Sequence, residues 1–194
     1  MAKIHFYYGV MGSSKSAELG INAFNFNRTG NKWTAIKPTT DNRDSKTDIV
    51  SRIGVKTKAL ALQNLDKFIP KRGTQFLLVD EVQFFNPSDI DKLVDIADST
   101  KITILCYGLM IDSNEHMFPA SQRLVEVGAE LHRMESVCEV KGCTHMATHH
   151  VRFDDNGRVI RNGAQVQVGG GQHYWSTCRK CYNRIINDPD FQRE

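Results

Sequence analysis

The first part of the chain alternates between short apolar, β-rich runs and stretches in which apolar side chains recur at helical spacing. Residues 3–9 are a β-rich run ending at a glycine, and residues 14 to about 28 follow with apolar side chains on one helical face. Residues 32–38 predict a second strand, which Pro38 stops. The chain therefore opens with a strand, a loop, a helix and another strand.

A continuous apolar run within residues 74–85 is typical of a strand buried on both faces of a parallel sheet, and it turns acidic at its carboxyl end. Residues 86–88 (Asn-Pro-Ser) are a helix-start signal, and residues 101–109 predict a further buried strand. Strands that alternate with helices over residues 1–133 predict an α/β domain, with a mainly parallel sheet and helices on both faces.

Two segments between these elements have weaker patterns. The polar segment 39–57 has little apolar periodicity, which favours a loop. The spacing of Leu60, Leu62, Leu65 and Phe68 favours a helix after that loop.

The pattern changes after Arg133, where two close cysteine pairs bracket 34 residues that contain turn signals and a glycine-rich run. We expect residues 134–194 to form a small metal-held β domain that carries a long loop.

Composition adds limits to this picture. A chain of 194 residues, 40% hydrophobic and 24% charged, has the make-up of a soluble globular protein. Its net charge of +3 comes from interspersed charges and argues against a nucleic-acid or membrane surface. The N-terminus lacks a signal-peptide pattern and no apolar run has membrane-spanning length, so we expect a cytoplasmic protein. In that compartment, five cysteines argue against a disulfide framework.

Residues 9–16, "GVMGSSKS", match the phosphate-loop pattern G-x-x-x-x-G-K-[ST] except that Ser14 replaces the second glycine. The bare motif is weak, but its place between a strand and a helix lets backbone N–H groups surround a phosphate. Lys15 would then reach the β- and γ-phosphates, and Ser16 would hold Mg²⁺. The missing glycine matters only if φ at Ser14 is positive or a Cβ clashes; a right-handed Ser14 would make it unnecessary.

The run "LLVDE" delivers Asp80 and Glu81 at the carboxyl end of a buried strand, as in the Walker B arrangement. Asp80 would help to hold Mg²⁺, while Glu81, on the other side of the strand end, would accept a proton from an attacking hydroxyl. The alternative is a pair of solvated strand-end acids. Together with the loop, the pair indicates a nucleotide site.

Cys138-x4-Cys143 and Cys178-x2-Cys181 fit a closed tetrahedral Zn²⁺ site, which contributes folding energy rather than catalysis. Nearby histidines are alternative ligands, although four cysteines already satisfy the metal: His145, His149 and His150.

The chain resembles the type-II thymidine kinases of bacteria, DNA phages, poxviruses and animal cytosol over nearly its whole length. The resemblance implies a P-loop NTPase-like fold and, beside it, a zinc domain with a substrate-covering lasso loop. It follows these segments in order: "FYYGVMGSSKS", "KPTTDNRDS", "SRIG", "VDEVQFF", "CYGL", "VCEVKGC" and "VGGGQHYWSTCRKCY".

The activity that the resemblance implies is transfer of the ATP γ-phosphate to the 5′-hydroxyl of thymidine, giving dTMP. Glu81 would be the catalytic base, with Mg²⁺ held by Ser16 and Asp80. The nucleotide would be bound by Gly9, Val10, Met11, Gly12, Ser13, Ser14, Lys15, Ser16, Asp80 and Gln83.

Loop 163–177 is similar to the family's lasso, anchored at Cys143 and Cys178. Its residues imply contacts with thymine and the nucleoside through Gln165, Val166, Gln167, Val168, Gly169 and Tyr174. The apolar pocket would be formed by Met11, Phe84, Leu109 and Phe118, with plain core packing as the alternative for each. Asp41 and Arg43 would face the 5′ end and the phosphates.

The chain departs from the family pattern at Ser14 and at Ser113, which stands where a phenylalanine stacks beside the base. A lost aromatic wall would widen selectivity towards deoxyuridine or other pyrimidines. The family also implies a homotetramer and feedback inhibition by dTTP.

Two other functions compete with this interpretation. One is a P-loop ATPase or regulatory module in which Glu81 activates water and the zinc domain binds a partner. The other is a non-enzymatic zinc-ribbon interaction protein, which leaves Lys15, Ser16 and the two strand-end acids unexplained.

Overall fold

The computed structural model describes residues 3–40, 47–161 and 173–193. No helix in these ranges is both long and apolar enough to span a membrane. In chain order the elements are β1 (Ile4–Tyr8), α1 (Lys15–Arg28), β2 (Trp33–Pro38), β3 (Asp48–Val50), β4 (Lys56–Lys58), β5 (Leu60–Leu62), β6 (Phe76–Val79), a 3₁₀ turn (Val82–Phe84), α2 (Pro87–Ser99), β7 (Thr103–Gly108), α3 (Pro119–Glu126), β8 (Glu130–Arg133), β9 (His149–Arg152), β10 (Tyr174–Thr177) and α4 (Arg179–Asn187).

Six strands form one sheet in the order β5-β2-β6-β7-β1-β8, and every neighbouring pair is parallel. The central strands are apolar on both faces because helices cover both. Leu77 of β6 belongs to one buried cluster with Ile90 of α2, while Leu78 belongs to another with Leu19 of α1. The predicted α/β class, parallel sheet and two helical layers are confirmed.

The parallel arrangement gathers the carboxyl ends of β1, β2, β6 and β7 at one edge of the sheet. β1 lies between β7 and β8, so the chain crosses from one side of the first strand to the other as the sheet is completed. Ligands of open α/β sheets bind at such an edge, and the loops that follow these strands carry the predicted site residues.

The polar segment 39–57, which we predicted to be a loop, contains part of an antiparallel hairpin instead. Strands β3 and β4 pair Ile49 with Thr57, and both side chains are buried. Each strand has only three residues, too few for a period-of-two signal to emerge from a polar background.

The helix predicted from Leu60 to Phe68 is wrong. Leu60–Leu62 form the edge strand β5, and Leu65 and Phe68 enter the core from a turn in which the Phe68 N–H donates to the Leu65 carbonyl over 3.0 Å. Buried Asp89 of α2 holds this turn by accepting a hydrogen bond from the Leu65 N–H over 2.6 Å. The apolar side chains of strand β5 and of the turn after it happen to recur at helical spacing, which explains the wrong prediction.

The C-terminal part has an apolar cluster of its own. Strands β9 and β10 pair antiparallel, and Val151 and Phe153 pack with Trp175, Tyr182 and Ile185. This agrees with a small β unit after the sheet, whereas a domain boundary between residues 133 and 134 stays a prediction.

Candidate active site

The loop between β1 and α1 is tightly folded at its first glycine. A Cβ on Gly9 would lie 2.5 Å from the Met134 carbonyl oxygen and 2.5 Å from the Ser13 Oγ, so only glycine fits there. Gly12 has a φ of +77°, which also favours glycine. Two of the three unusual positions in this loop therefore carry the residue that their backbone requires.

Ser14 is the third unusual position. Its φ of 61° and ψ of 21° place it in the left-handed region, immediately before α1, and its carbonyl accepts the Glu18 N–H over 2.9 Å. The right-handed conformation that would have made a glycine unnecessary is not adopted. Serine thus occupies a backbone position that glycine takes at lower energy.

Lys15 folds back over the loop. Its Nζ donates to the carbonyl of Val10 over 2.7 Å, to that of Gly9 over 3.2 Å and to the Ser13 Oγ over 3.3 Å. The ammonium is thereby held among the loop carbonyls, at the end of the cavity where a phosphate would meet the N-terminus of α1.

Asp80 connects the end of β6 to the first turn of α1. Only 3% of Asp80 is exposed, and the Ser16 hydroxyl donates to its Oδ2 over 3.1 Å. A hydroxyl and a carboxylate oxygen meeting beside a phosphate loop are ligands suited to Mg²⁺.

Glu81 is held by Gln83, which is 3% exposed. The Gln83 Nε2 donates to Glu81 Oε2 over 2.5 Å, and its Oε1 accepts the Leu109 N–H over 3.0 Å. A Cβ on Gly108 would lie 2.4 Å from that Oε1, so glycine makes room for the amide. Glu81 itself has a φ of 47°, in the left-handed region, and the 3₁₀ turn begins directly after it. Nucleotide binding by Gln83 stays a prediction, since its observed bonds orient Glu81.

One cavity brings most of the predicted site residues together. Phe84 and Phe118 meet edge to face in its apolar part, with ring centroids 6.2 Å apart. Gly9, Val10 and Ser13 form the loop but do not line the cavity, while Asp41, Arg43 and Gln165 to Gly169 lie outside the described residues. The predicted residues that line it are Met11, Gly12, Ser14, Lys15, Ser16, Asp80, Glu81, Gln83, Phe84, Leu109, Phe118 and Tyr174.

The hairpin and the end of β2 add charged groups that none of the sequence motifs predicted. Arg52, in the turn between β3 and β4, lines the cavity, and its Nη1 lies 3.3 Å from where a Cβ on Gly12 would be. Lys37 is almost fully buried and donates to the Asp48 carbonyl over 3.0 Å. Its place at the carboxyl end of a parallel strand is a signal that could have identified Lys37.

The four cysteines Cys138, Cys143, Cys178 and Cys181 converge, with all four sulfur atoms within 4.8 Å of one another. The sulfur atoms of Cys143 and Cys178 are 3.8 Å apart, close to the edge of a tetrahedron with Zn–S bonds of about 2.3 Å. The donor set fits Zn²⁺. His145 lies nearest, with its Nδ1 3.5 Å from the Cys143 Sγ.

Comparison with known proteins places this site in a family. The family model described as "Thymidine kinase" matches residues 2–182. The chain belongs to the thymidine kinase family. It is 34% identical to the thymidine kinase of Legionella pneumophila (strain Lens), over 95% of this chain and 90% of that protein. It is also 34% identical to that of Coxiella burnetii (93% and 94% covered) and 32% identical to that of Shewanella oneidensis (97% and 100% covered).

In this family member the cysteine-rich unit contacts the phosphate loop directly. The Ser176 hydroxyl on β10 donates to the Met11 carbonyl over 2.7 Å. The Tyr182 hydroxyl on α4 donates to the carbonyl of Ser113, which lines the cavity, over 2.9 Å. Both donors lie within a few residues of Cys178, so the cysteine cluster and the nucleotide site are mechanically connected.

His150 also lines the cavity, although its place near the cysteines predicted only an alternative zinc ligand. It pairs with Ser176 across the β9–β10 ribbon, which places it on the ribbon face that meets the phosphate loop. Its Nδ1 is buried without a hydrogen-bond partner among the described residues. Burial, reinforced by the charge of Lys15, lowers the pKa of His150 to about 3, so the ring is neutral at physiological pH.

Ser14→Gly should stabilise the protein. Glycine removes the left-handed strain, which outweighs the greater freedom of the unfolded chain, and we expect the free energy of unfolding to rise by about 0.5–1 kcal/mol. Ser88→Gly, in the exposed first turn of α2, is the matched control and should lower it by about 0.5 kcal/mol. Urea unfolding of both variants measures these changes. An equal loss of unfolding free energy in the two variants would contradict backbone strain at Ser14.

His150 should make stability depend on pH. Below its ordinary pKa of 6.5, the unfolded chain takes up a proton that the folded His150 refuses until about pH 3, so stability falls as pH drops through this range. We expect His150→Leu to remove up to about 2 kcal/mol of that loss between pH 6.5 and pH 5. Exposed His116→Leu should leave the profile unchanged; the same profile in His150→Leu and wild type would refute the assignment.

Proposed function

We propose that this chain transfers the γ-phosphate of ATP to the 5′-hydroxyl of thymidine, giving dTMP. The observation that carries the proposal is one cavity in which the phosphate loop and the Asp80–Glu81 pair adjoin an apolar, aromatic wall. Membership of the thymidine kinase family supports both substrates.

The cavity divides chemically into two halves. The phosphate half has the backbone of the loop at the N-terminus of α1, together with Lys15 and Arg52. The other half has Phe84, Phe118 and Tyr174, side chains suited to a flat base and a sugar. Glu81 lines the same cavity, and as the base it would have to lie between the phosphate and the hydroxyl that attacks it.

Ser16 and Asp80 would hold Mg²⁺. When bound, this ion neutralises the charge that develops on the phosphoryl group during transfer. Their hydrogen bond over 3.1 Å already keeps the two oxygen ligands together, so little reorganisation is needed to receive a hard cation.

Glu81 would act as the base. The 5′-oxygen attacks the γ-phosphorus, the bond from that phosphorus to the ADP oxygen breaks, and the hydroxyl proton passes to the Glu81 carboxylate. Gln83 contributes by fixing one carboxylate oxygen, Oε2, and so orients the Glu81 carboxylate. Because phosphoryl transfer depends mainly on positioning and charge neutralisation, these groups suffice for the reaction.

We further propose that the four cysteines hold structural Zn²⁺ and that loop 163–177 closes over the nucleoside. Gln165, Val166, Gln167, Val168 and Gly169 would bind thymine, and Asp41 with Arg43 would face the phosphates. A zinc anchor reduces the entropy lost when such a glycine-rich loop becomes ordered. A zinc-held domain beginning at residue 134, a homotetramer, dTTP feedback and a cytoplasmic location complete the proposal.

The competing ATPase interpretation explains less of the site. It does not require an aromatic wall beside Glu81, nor the contacts from Ser176 and Tyr182 that connect the cysteine-rich unit to this cavity. A nucleoside substrate accounts for both the aromatic wall and these contacts.

Glu81→Gln should abolish most of the phosphorylation while leaving binding intact. Loss of the base predicts a fall in kcat of about 10²- to 10⁴-fold, with little change in KM for ATP or thymidine. Exposed Glu126→Gln is the control and should retain wild-type turnover. A Glu81→Gln enzyme with near-normal kcat would remove Glu81 as the base.

The assay should measure ADP release with thymidine, deoxyuridine, deoxycytidine and no nucleoside. ADP release that requires a nucleoside supports the kinase. The order of the rates with the three nucleosides shows how selective the pocket is with Ser113 in it. Release at full rate without any nucleoside would establish the ATPase instead.

Cys178→Ser, or chelation, should remove the proposed zinc, lower the melting temperature and raise KM for thymidine more than KM for ATP. Cys106→Ala is the control, because this buried thiol lies outside the cluster and its loss should leave metal content unchanged. Metal analysis and thermal unfolding check both variants. Full zinc content in Cys178→Ser, or none in the wild type, would contradict the assignment.

A further inference from the structure

A second group of metal-ligating side chains lies on the sheet, outside the cavity. β8 is an edge strand paired with β1, so that His5 stands opposite Glu130 and Tyr7 opposite His132. Residues two apart on a strand share one face, which places both imidazoles and the carboxylate together. No step of the proposed reaction uses these three residues.

The three side chains converge on one point. His5 Nδ1 and His132 Nε2 are 3.0 Å apart. The two Glu130 carboxylate oxygens reach one nitrogen each: Oε2 lies 3.6 Å from His5 Nδ1, and Oε1 lies 3.6 Å from His132 Nε2. A tetrahedral ion with bonds of about 2.0–2.1 Å separates its ligand atoms by about 3.3 Å, so the observed spacing is close to that of three ligands on one ion.

We propose that His5, Glu130 and His132 form a binding site for one divalent transition-metal ion, of the class of Zn²⁺ or Co²⁺. Two imidazoles with one carboxylate favour such ions over Mg²⁺ or Ca²⁺, which prefer oxygen ligands. The proposal is independent of the kinase reaction and of the cysteine cluster.

The surroundings preorganise one ligand. The His132 ring stacks on Tyr7, with centroids 4.5 Å apart and planes 16° apart, and Tyr7 stacks in turn on Tyr107 at 4.9 Å. The imidazole plane is therefore set before a metal arrives, which reduces the entropy lost on binding.

The other ligands leave the site open on one side. Glu130 is about half exposed, so water can complete the coordination shell. The alternative use of the cluster is a histidine–histidine hydrogen bond beside an ion pair, and Lys3 competes for the same carboxylate with its Nζ 3.8 Å from Glu130 Oε2. Because Lys3 is itself exposed, its ammonium can move away at small cost.

A metal here would join two strands that lead to the functional regions. β1 continues into the phosphate loop, and β8 continues towards the cysteine-rich unit, where the Met134 N–H donates to the Tyr8 carbonyl over 2.7 Å. An ion that binds only the folded chain raises its stability, so melting temperature should rise with metal concentration.

The test uses full-length protein purified without chelator and dialysed against micromolar Zn²⁺. Metal analysis should find one more zinc per chain in the wild type than in His132→Gln or Glu130→Gln. Loss of a ligand should weaken this site at least about 100-fold, since even outer-shell changes cost 10- to 100-fold. His116→Gln, an exposed histidine outside the cluster, should keep the wild-type content.

Co²⁺ identifies the ligands when it is added instead of the Zn²⁺ dialysis, to protein that holds zinc at the cysteine cluster alone. We expect visible absorption without thiolate charge transfer, present in His116→Gln and absent from His132→Gln. Equal metal content in all four proteins, or cobalt absorption with thiolate character alone, would overturn the proposal. Both experiments measure bound metal in the wild type and the variants, so their outcome does not depend on kinase activity.

Discussion

The site depends on the parallel pairing of β6, β7 and β1. The register sets Val79 opposite Cys106 and Cys106 opposite Phe6, so the three strands end at nearly the same level. The phosphate loop, the carboxylate pair and Leu109 then emerge side by side. A slip of one residue would send Asp80 to the other face of the sheet and separate it from Ser16.

Two residues at this edge of the sheet have a strained backbone conformation that shapes the cavity. Ser14 and Glu81 are both left-handed, and both begin a turn whose side chains enter the cavity. At Ser14 the conformation lets the loop turn into α1; at Glu81 it turns the carboxylate towards Gln83. Such conformations persist only where surrounding contacts hold them, and here the Glu18 N–H and the Gln83 amide do so.

The cysteine-rich unit and the segments that follow the sheet strands both line the same cavity. Ser176 holds the phosphate loop at Met11, and Tyr182 holds the segment containing Ser113. Buried, neutral His150 pairs with Ser176 in the same ribbon and lines the cavity. Ordering the cysteines would therefore position groups on the nucleoside side as well as fold the unit itself.

The sequence alone determined the features that rest on local patterns. Apolar runs identified the buried strands, Asn86 and Pro87 marked the start of α2, and residue spacing located the phosphate loop, the Asp80–Glu81 pair and the four cysteines. Each of these signals depends on only a few residues that are neighbours in the sequence.

Only the tertiary structure decided what depends on distant partners. The hairpin around Ile49 and the turn at Leu65 form because other elements cover them, so their spacing alone was misleading. The ring of His150 lines the cavity because of strand pairing, and His5 meets His132 although the two lie 127 positions apart in the sequence. The left-handed conformation of Ser14 is set by the loop that must turn into α1. The residue types in the motif do not predict that conformation.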